Sequence, residues 1–94
     1  MKHELKIEQK YLYRILKNEK QFEIRENDRD YQVGDTIKFL PLAENDGDPK
    51  FEIYSLRDDG IPEYLIHYIH SGYGLLPGIV IMSIRQVTIV SQSE

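Results

Sequence analysis

The fold is decided by residues 3–25, which read HELKIEQKYLYRILKNEKQFEIR. The hydrophobic period of this stretch changes twice, and each change predicts a new element. At its start, Leu5 and Ile7 alternate with charged side chains. A period of two is typical of a strand with one buried face. Residues 3–7 are therefore predicted to form the first strand.

The next residues follow a helical period. Four apolar residues fall at i, i+1, i+4 and i+5, which places them in one stripe along a helix. They are Tyr11, Leu12, Ile15 and Leu16. The pattern predicts a helix over about residues 8–17. Asn18 is expected to end it, because asparagine adopts the left-handed backbone conformation found after helix ends.

After the helix the period returns to two. Phe22 and Ile24 alternate with Glu23 and Arg25, which predicts a second strand. Because alternate residues of a strand point to the same face, the carboxylate and the guanidinium share one face. There they can pair with each other or bind one ligand together.

The rest of the chain is predicted to form short strands at residues 36–40, 51–57, 63–70 and 79–84, and residues 87–90 are predicted to continue or return from the last of these. The run at 79–84 is rich in β-branched residues and is typical of a strand buried on both faces. The sequence therefore predicts an α+β, mainly β fold with about six strands and one main helix after the first strand. Short strands at such spacing favour a small β-barrel, curled or closed, with the helix packed across one end.

Length and composition limit what the chain can be. A chain of 94 residues is predicted to form a single domain over residues 1–94, because it cannot divide its buried surface between two cores. It contains no cysteine, whereas secreted domains of this size often depend on disulfides, so we expect a cytoplasmic protein. The longest apolar stretch, residues 75–82, is interrupted by Pro77 and Gly78. We therefore expect no membrane span.

The formal net charge of −4 argues against a general polyanion binder, which needs many basic contacts to phosphates. The charge is unevenly distributed. Residues 1–30 carry eight Lys and Arg against seven Asp and Glu, a net charge of +1, whereas residues 31–94 carry four against nine, a net charge of −5. An anionic ligand is therefore expected to bind the N-terminal third.

Polar and charged residues are concentrated between residues 20 and 30. One interpretation is a pocket in which Lys20, Arg25 or Arg29 holds a phosphate or a base edge while Glu23 orients a polar partner. The alternative is an exposed strand end with ordinary surface ion pairs, each worth about 0 to 1 kcal/mol. Composition alone leaves both interpretations open.

Three segments carry a resemblance to a known family: HELKI at residues 3–7, KQFEIRENDRDYQVGD at residues 20–35 and GYGL at residues 72–75. In these segments the chain resembles the small bacterial and phage domains grouped as DUF3850, which are similar to ASCH domains of the PUA-like superfamily. The resemblance covers nearly the whole chain, and residues 22–35 are its most specific part. It implies a PUA-like barrel with a cleft beside the first helix.

The same resemblance implies that RNA or a nucleotide binds in this cleft, with the motif residues of the family at Lys20, Glu23 and Arg25. Some ASCH proteins are small amidohydrolases acting on acetylated cytidine, and their motif has a threonine three residues after the lysine, with a distant glutamate. This chain has Glu23 in the threonine position, so the nucleophile of that motif is missing. Lys20 and Glu23 remain as weak catalytic candidates, and Glu52 or Glu63 is the candidate for a distant carboxylate.

Tyrosines are frequent, with seven in the chain, and an exposed aromatic ring can stack on a nucleotide base. Tyr31 and Tyr73 lie in predicted loops, and they are the candidates for stacking. Four others are predicted to occupy core or half-buried positions on the helix and strands. They are Tyr11, Tyr54, Tyr64 and Tyr68.

No metal or cofactor site is predicted. His67 and His70 are three residues apart in a predicted strand, so they point to opposite faces and cannot easily bind one metal ion. Gly72-Tyr73-Gly74 lacks the third glycine and the following helix of a dinucleotide-binding loop.

Three hypotheses from different classes follow. The first is a small module that binds RNA or a nucleotide in a polar cleft next to the first helix. Its predicted ligand-binding residues are Lys20, Glu23, Arg25, Asn27, Asp28, Arg29, Asp30, Tyr31 and Tyr73. The second is a small amidohydrolase acting on modified nucleosides. The third is a phage or bacterial protein-interaction module with no ligand in the cleft.

Overall fold

The computed structural model describes residues 1–42 and 60–87, which contain one helix and five strands. In chain order these are β1 (Lys2–Ile7), α1 (Gln9–Leu16), β2 (Phe22–Glu26), β3 (Thr36–Pro41), β4 (Tyr64–Ser71) and β5 (Ile79–Gln86). The strands form one sheet in the order β1-β3-β4-β5-β2. β1 and β3 are parallel, and the other neighbours are antiparallel. The sheet curls into a half-barrel with β1 and β2 as its two edges.

This architecture confirms the predicted α+β, mainly β fold. The first strand, the helix and the strands predicted at residues 22–25, 36–40, 63–70 and 79–84 are all present, to within a residue or two at their ends. The strand predicted at residues 51–57 lies outside the described residues, as does the segment predicted at 87–90 except for its first residue.

The hydrophobic core lies between the inner face of the sheet and α1. Its side chains come from the helix, the strands and one loop. They are Leu5, Ile7, Leu12, Ile15, Tyr31, Ile37, Phe39, Tyr64, Ile66, Val80, Met82 and Ile84. Burial of each large apolar side chain contributes roughly 1.5 to 3 kcal/mol relative to an exposed one. Among the described residues, this cluster supplies most of the apolar burial that stabilises the fold.

The prediction that residues 79–84 are buried on both faces is wrong. Val80, Met82 and Ile84 are buried, whereas Ile79 and Ile81 are only half-buried. A strand buried on both faces needs a packed layer on each side of the sheet. In the described part of the chain the one helix packs into the same core as Val80 and Met82, so it covers the inner side.

In β2 the apolar residues face outward. Phe22 and Ile24 are 39% and 52% exposed, whereas Glu23 is 4% exposed and Arg25 is half-buried. The prediction that Glu23 and Arg25 share one face is confirmed, and that face is the inner one. A buried carboxylate is costly unless it is paired, so β2 can adopt this orientation only if Glu23 finds cationic partners.

Two tyrosines predicted to occupy core or half-buried positions are exposed. Tyr68 is 57% exposed because the register of β4 shifts between Ile66 and Tyr68, and an extra residue in a strand reverses the face of those that follow. Tyr11 is 43% exposed because it lies at the edge of the helical stripe. Tyr64 is buried as predicted, and Tyr54 lies outside the described residues.

A buried hydrogen-bonded pair joins β1 to the start of β3. His3 Nε2 lies 2.8 Å from Asp35 Oδ2, and both residues are buried. The Asp35 carboxylate also accepts bonds from the Gln32 N–H at 3.0 Å and the Met1 ammonium at 3.2 Å. The hydrogen bond from His3 is the main cause that lowers the pKa of Asp35 below its ordinary value, with the Gln32 and Met1 contacts acting in the same direction.

This lowered pKa predicts a pH dependence of stability. A carboxyl group whose pKa is lower in the folded state stabilises the fold above its unfolded pKa, and that stabilisation is lost as the pH falls through the folded pKa. We expect Asp35→Asn to lower the free energy of unfolding at pH 7 by about 1 to 3 kcal/mol, because His3 keeps a poorer partner. The loss should shrink below about pH 4 in urea denaturation series.

The matched control is Asp28→Asn, which changes an exposed carboxylate and should alter the unfolding free energy by less than about 0.5 kcal/mol. Equal effects of the two substitutions at neutral pH would contradict the role of the His3–Asp35 pair.

Candidate functional site

A cavity of about 600 Å³ opens between the edge strands of the half-barrel and the start of α1. Its lining residues are Lys6, Ile7, Glu8, Tyr11, Lys20, Phe22, Glu23, Ile24, Arg25 and Leu42. The volume falls within the range of roughly 300 to 1,000 Å³ that is usual for small-molecule sites. We call this space the seam cavity, because it lies at the seam between β1 and β2.

The end of α1 determines where Lys20 lies. Asn18 has a left-handed φ of 63°, as expected for the residue that ends the helix. The Asn18 N–H donates to the Ile15 carbonyl at 3.0 Å, and the Glu19 N–H donates to the Arg14 carbonyl at 2.9 Å. These two bonds form a Schellman motif. The resulting tight turn brings Lys20 directly from the helix end to the start of β2.

Glu23 is the centre of a partly buried ionic cluster. Its Oε1 accepts a hydrogen bond from Lys20 Nζ at 2.5 Å, and its Oε2 accepts one from Arg25 Nε at 2.9 Å. The side chains of Glu23, Lys20 and Arg25 are 5%, 18% and 27% exposed. These contacts are therefore not the exposed surface ion pairs of the alternative interpretation. Partial burial makes them stronger than pairs in open solvent.

Two arginines close the seam between the edge strands. Arg25 Nη2 donates to the Lys6 carbonyl at 2.9 Å, and Arg29 Nη1 donates to the Glu4 carbonyl at 3.0 Å. The carbonyls of alternate strand residues point to the same side, and β1 pairs with β3 through the other set. The arginine side chains therefore occupy carbonyls that a neighbouring strand would otherwise bind.

The Lys20 ammonium is held in one position. Besides its bond to Glu23, Nζ donates to the Phe22 carbonyl at 2.8 Å. It also lies 5.6 Å from the centroid of the Tyr11 ring and 4.8 Å from that of the Phe22 ring, within the range of cation–π attraction. The cation is thus fixed at the boundary between the ionic and the aromatic part of the seam cavity.

The cluster has one net positive charge, because two cations share one carboxylate. Both oxygens of Glu23 accept hydrogen bonds from these cations, which positions Lys20 and Arg25 beside the seam cavity. An ammonium has three donor hydrogens, and Lys20 uses two. Arg25 Nη1 has no hydrogen-bond partner among residues 1–42 and 60–87. These remaining donors suit an anionic group such as a phosphate.

The predicted loop residues Asn27, Asp28, Arg29 and Asp30 do not line the seam cavity. They build the turn after β2. Asn27 Oδ1 accepts the Tyr31 N–H at 2.9 Å, and Asp30 has a left-handed φ of 52°. This turn places Arg29 beside β1, where it binds the Glu4 carbonyl. The turn therefore supports the seam.

The two tyrosines predicted to stack on a base are also separate from the seam cavity. Tyr31 is 4% exposed, with its ring 4.7 Å from that of His3 in an edge-on contact. Burial raises the pKa of its phenol. A ring in the core cannot stack on a base, so the stacking prediction does not fit Tyr31. Tyr73 is 94% exposed, but it lies in the turn between β4 and β5 and not beside this cavity.

The structure adds cavity residues that the sequence did not single out, chiefly Tyr11, Ile7 and Leu42. Tyr11 was expected in the core because it falls on the apolar helical stripe. Its position next to a charged residue at the edge of that stripe is the one sequence signal for a partly exposed ring. Glu63, a candidate for a distant carboxylate, instead forms an ion pair with Lys2 at 2.8 Å. Glu52 lies outside the described residues.

Within the described ranges, no group of three His, Asp or Glu side chains comes together in a way that could hold a metal ion. No helix in these ranges is long and apolar enough to span a membrane.

These features define a class: a small, mainly β half-barrel with one helix, whose open seam is closed by arginine side chains beside a ligand-sized cavity. The family model described as "Domain of unknown function (DUF3850)" matches residues 2–84, and the chain belongs to this family. No curated protein matches the chain.

The geometry predicts that Glu23 contributes more to stability than an exposed glutamate in an equally short ion pair. Glu23→Gln removes the shared negative charge and leaves two partly buried cations beside each other. We expect the free energy of unfolding to fall by about 3 kcal/mol, measured by urea denaturation at pH 7.

Glu19→Gln is the matched control, because Glu19 pairs with Arg14 at 2.6 Å but both side chains are about half exposed. Its loss should cost less than about 1 kcal/mol. Similar losses for the two variants would show that the Glu23 cluster behaves as an ordinary surface ion pair.

Proposed function

We propose that this protein is a small PUA-like module of the ASCH type that binds one nucleotide unit, free or exposed in an RNA element, in the seam cavity. The observation that carries the proposal is the arrangement around Glu23. Two cations are fixed there with donor hydrogens left over, directly beside aromatic and aliphatic side chains. A nucleotide combines the same two properties, an anionic phosphate and a flat base.

The phosphate is expected to bind Lys20 and Arg25. Both side chains are already held by Glu23, so little side-chain freedom is lost when a ligand arrives. The guanidinium is a planar donor that matches phosphate oxygens well. The net charge of +1 in this cluster balances a single phosphodiester.

The base is expected to contact Tyr11 and the aliphatic wall formed by Ile7 and Leu42. Tyr11 is 43% exposed and lines the seam cavity. Stacking of a base on an aromatic ring is worth roughly 1 to 3 kcal/mol and tolerates different bases. Tyr11 therefore takes the stacking role in this proposal, and Tyr31 does not.

The proposed site is small and not a long track for the nucleic-acid backbone. Only Lys6, Lys20 and Arg25 among the cavity-lining residues are cationic, and the whole chain has a net charge of −4. For single-stranded RNA, these three cations can neutralise at most about three phosphates, which gives a slope of log affinity against log salt no steeper than about −2. A slope steeper than about −5 would contradict this picture.

The half-barrel with its helix beside the seam is compatible with a PUA-like barrel, and the seam cavity lies where the family resemblance implies a cleft. The proposal therefore agrees with both the local chemistry and the architecture.

The proposal predicts that Lys20→Met and Tyr11→Leu weaken nucleotide binding. Lys20→Met is preferable to a change at Arg25, because it leaves Glu23 paired with Arg25 and keeps the seam closed. We expect a panel of nucleosides, 5′-mononucleotides and short single-stranded RNAs to contain a ligand that raises the melting temperature of the wild type. Each substitution should reduce affinity for that ligand about tenfold or more, measured by isothermal titration calorimetry.

Lys17→Met and Tyr13→Leu are the matched controls. Lys17 lies 5.3 Å from the Tyr13 ring, so the two form a similar lysine–tyrosine contact outside the seam cavity. Their variants should bind as the wild type does. The absence of binding by any member of the panel, or equal losses in both pairs of variants, would contradict the proposal.

A further inference from the structure

The outer face of the sheet carries an apolar patch on β2, β5 and β4. Ile24 on β2 is directly opposite Ile81 on β5, and Phe22 is opposite Ser83. On the other side of β5, Tyr68 of β4 is also opposite Ser83. Phe22, Ile24 and Tyr68 are 39%, 52% and 57% exposed. We call this surface the outer patch.

The outer patch is a consequence of the reversed orientation of β2. Because Glu23 and Arg25 point inward, Phe22 and Ile24 must point outward. They then lie beside half-buried Ile81 and exposed Tyr68. Single exposed apolar residues are ordinary, but contiguous groups on neighbouring strands mark interaction surfaces.

Two opposite charges lie at the two ends of this patch. Glu26 is at the end of β2, opposite Ile79, and Arg85 lies near the other end of β5. Alternation along the strands places both on the outer face, with Ile24 and with Ile81 respectively. Both are exposed, and neither has an ion-pair partner in the part of the chain that the structure describes.

We propose that the outer patch binds a second copy of this chain in a two-fold symmetric dimer. A two-fold axis lying between two stacked sheets, perpendicular to the line from Glu26 to Arg85, exchanges the two ends of the patch. Glu26 of each copy then meets Arg85 of the other. The apolar centre, including Ile24 and Phe22, is buried between the two charge pairs. The surface is thus complementary to itself in both charge and polarity.

This contact is a face-to-face packing of two sheets, which is a common arrangement with the sheets about 10 Å apart. The symmetric contact closes on itself, so it produces a dimer and not a filament. Phe22 and Ile24 also line the seam cavity, whereas Glu26, Tyr68, Ile81 and Arg85 do not, so changes at these four residues test the dimer separately from the proposed nucleotide function.

The test is a charge exchange followed by sedimentation equilibrium of the full chain. The wild type should have twice the chain mass of 11.1 kDa at high micromolar concentration. Glu26→Arg and Arg85→Glu should each raise the dimer dissociation constant about tenfold or more, because like charges then face each other twice. The double variant should return to the wild-type value. An equimolar mixture of the two single variants should form heterodimers at least as tight as the wild-type dimer.

Tyr68→Lys, at the patch but not in a charge pair, should also favour the monomer, and far-ultraviolet circular dichroism checks that each variant is folded. Lys17→Met, an exposed position at the end of α1, is the control outside the patch and should dimerise as the wild type does. A wild type that stays monomeric at millimolar concentration overturns the proposal. A dimer whose dissociation constant is unchanged by the charge substitutions and by Tyr68→Lys also overturns the proposal.

Discussion

The inward orientation of Glu23 determines both the polar lining of the seam cavity and the surface that β2 presents to solvent. Its carboxylate is nearly inaccessible to solvent and is shared by Lys20 and Arg25. Without a cationic partner, the burial of this charge would be too costly for β2 to place its charged face inward. Three features follow from this one arrangement: a polar floor in the seam cavity, an arginine that reaches β1, and an apolar surface on the outside of β2.

The same arrangement explains how an incomplete barrel keeps its edges together. The edge carbonyls of β1 are bound by Arg25 and Arg29, whose side chains reach across the seam. Unpaired strand edges are prone to association with other chains, and the arginines cover this one without a further strand. Arg25 binds the Lys6 carbonyl across the seam and also lines the cavity. Lys20 lines the cavity, and in the described part of the chain its ammonium donates hydrogen bonds only to Phe22 and Glu23. Lys20 is therefore the residue that separates binding from folding most cleanly.

Much of the fold could be predicted from the period of apolar residues, but the buried face of β2 and the position of Tyr68 could not. The helix and the described strands follow from their periods, and Asn18 marks the helix end as expected. Alternation in β2 identified two faces but not which one is buried, because that depends on the partners of Glu23 and Arg25, and two of these, Lys20 and the Lys6 carbonyl, lie outside the strand. The exposure of Tyr68 could not be predicted, because the register shift in β4 reverses the face on which this residue lies. The sequence contains no signal that marks this shift.

The candidate site could be predicted in part. Lys20, Glu23 and Arg25 do come together at one cavity, since their spacing places them on one face after a tight turn. Tyr11 was missed because its neighbours define the core side of the helix. Tyr31 lies in a loop and is nevertheless buried against His3, a contact between residues distant in sequence. Local patterns carry no information on such contacts.

A nuclear magnetic resonance titration tests the proposed nucleotide site at the Glu23 cluster in the seam cavity. A ¹⁵N-labelled sample would be titrated with a 5′-mononucleotide while backbone amide shifts are followed. Binding in the seam cavity predicts that the largest shifts occur at residues 6–8, 11 and 20–25, and that the turn at residues 72–78 is unchanged. Shifts confined to that turn, or no shifts up to millimolar ligand, would contradict it.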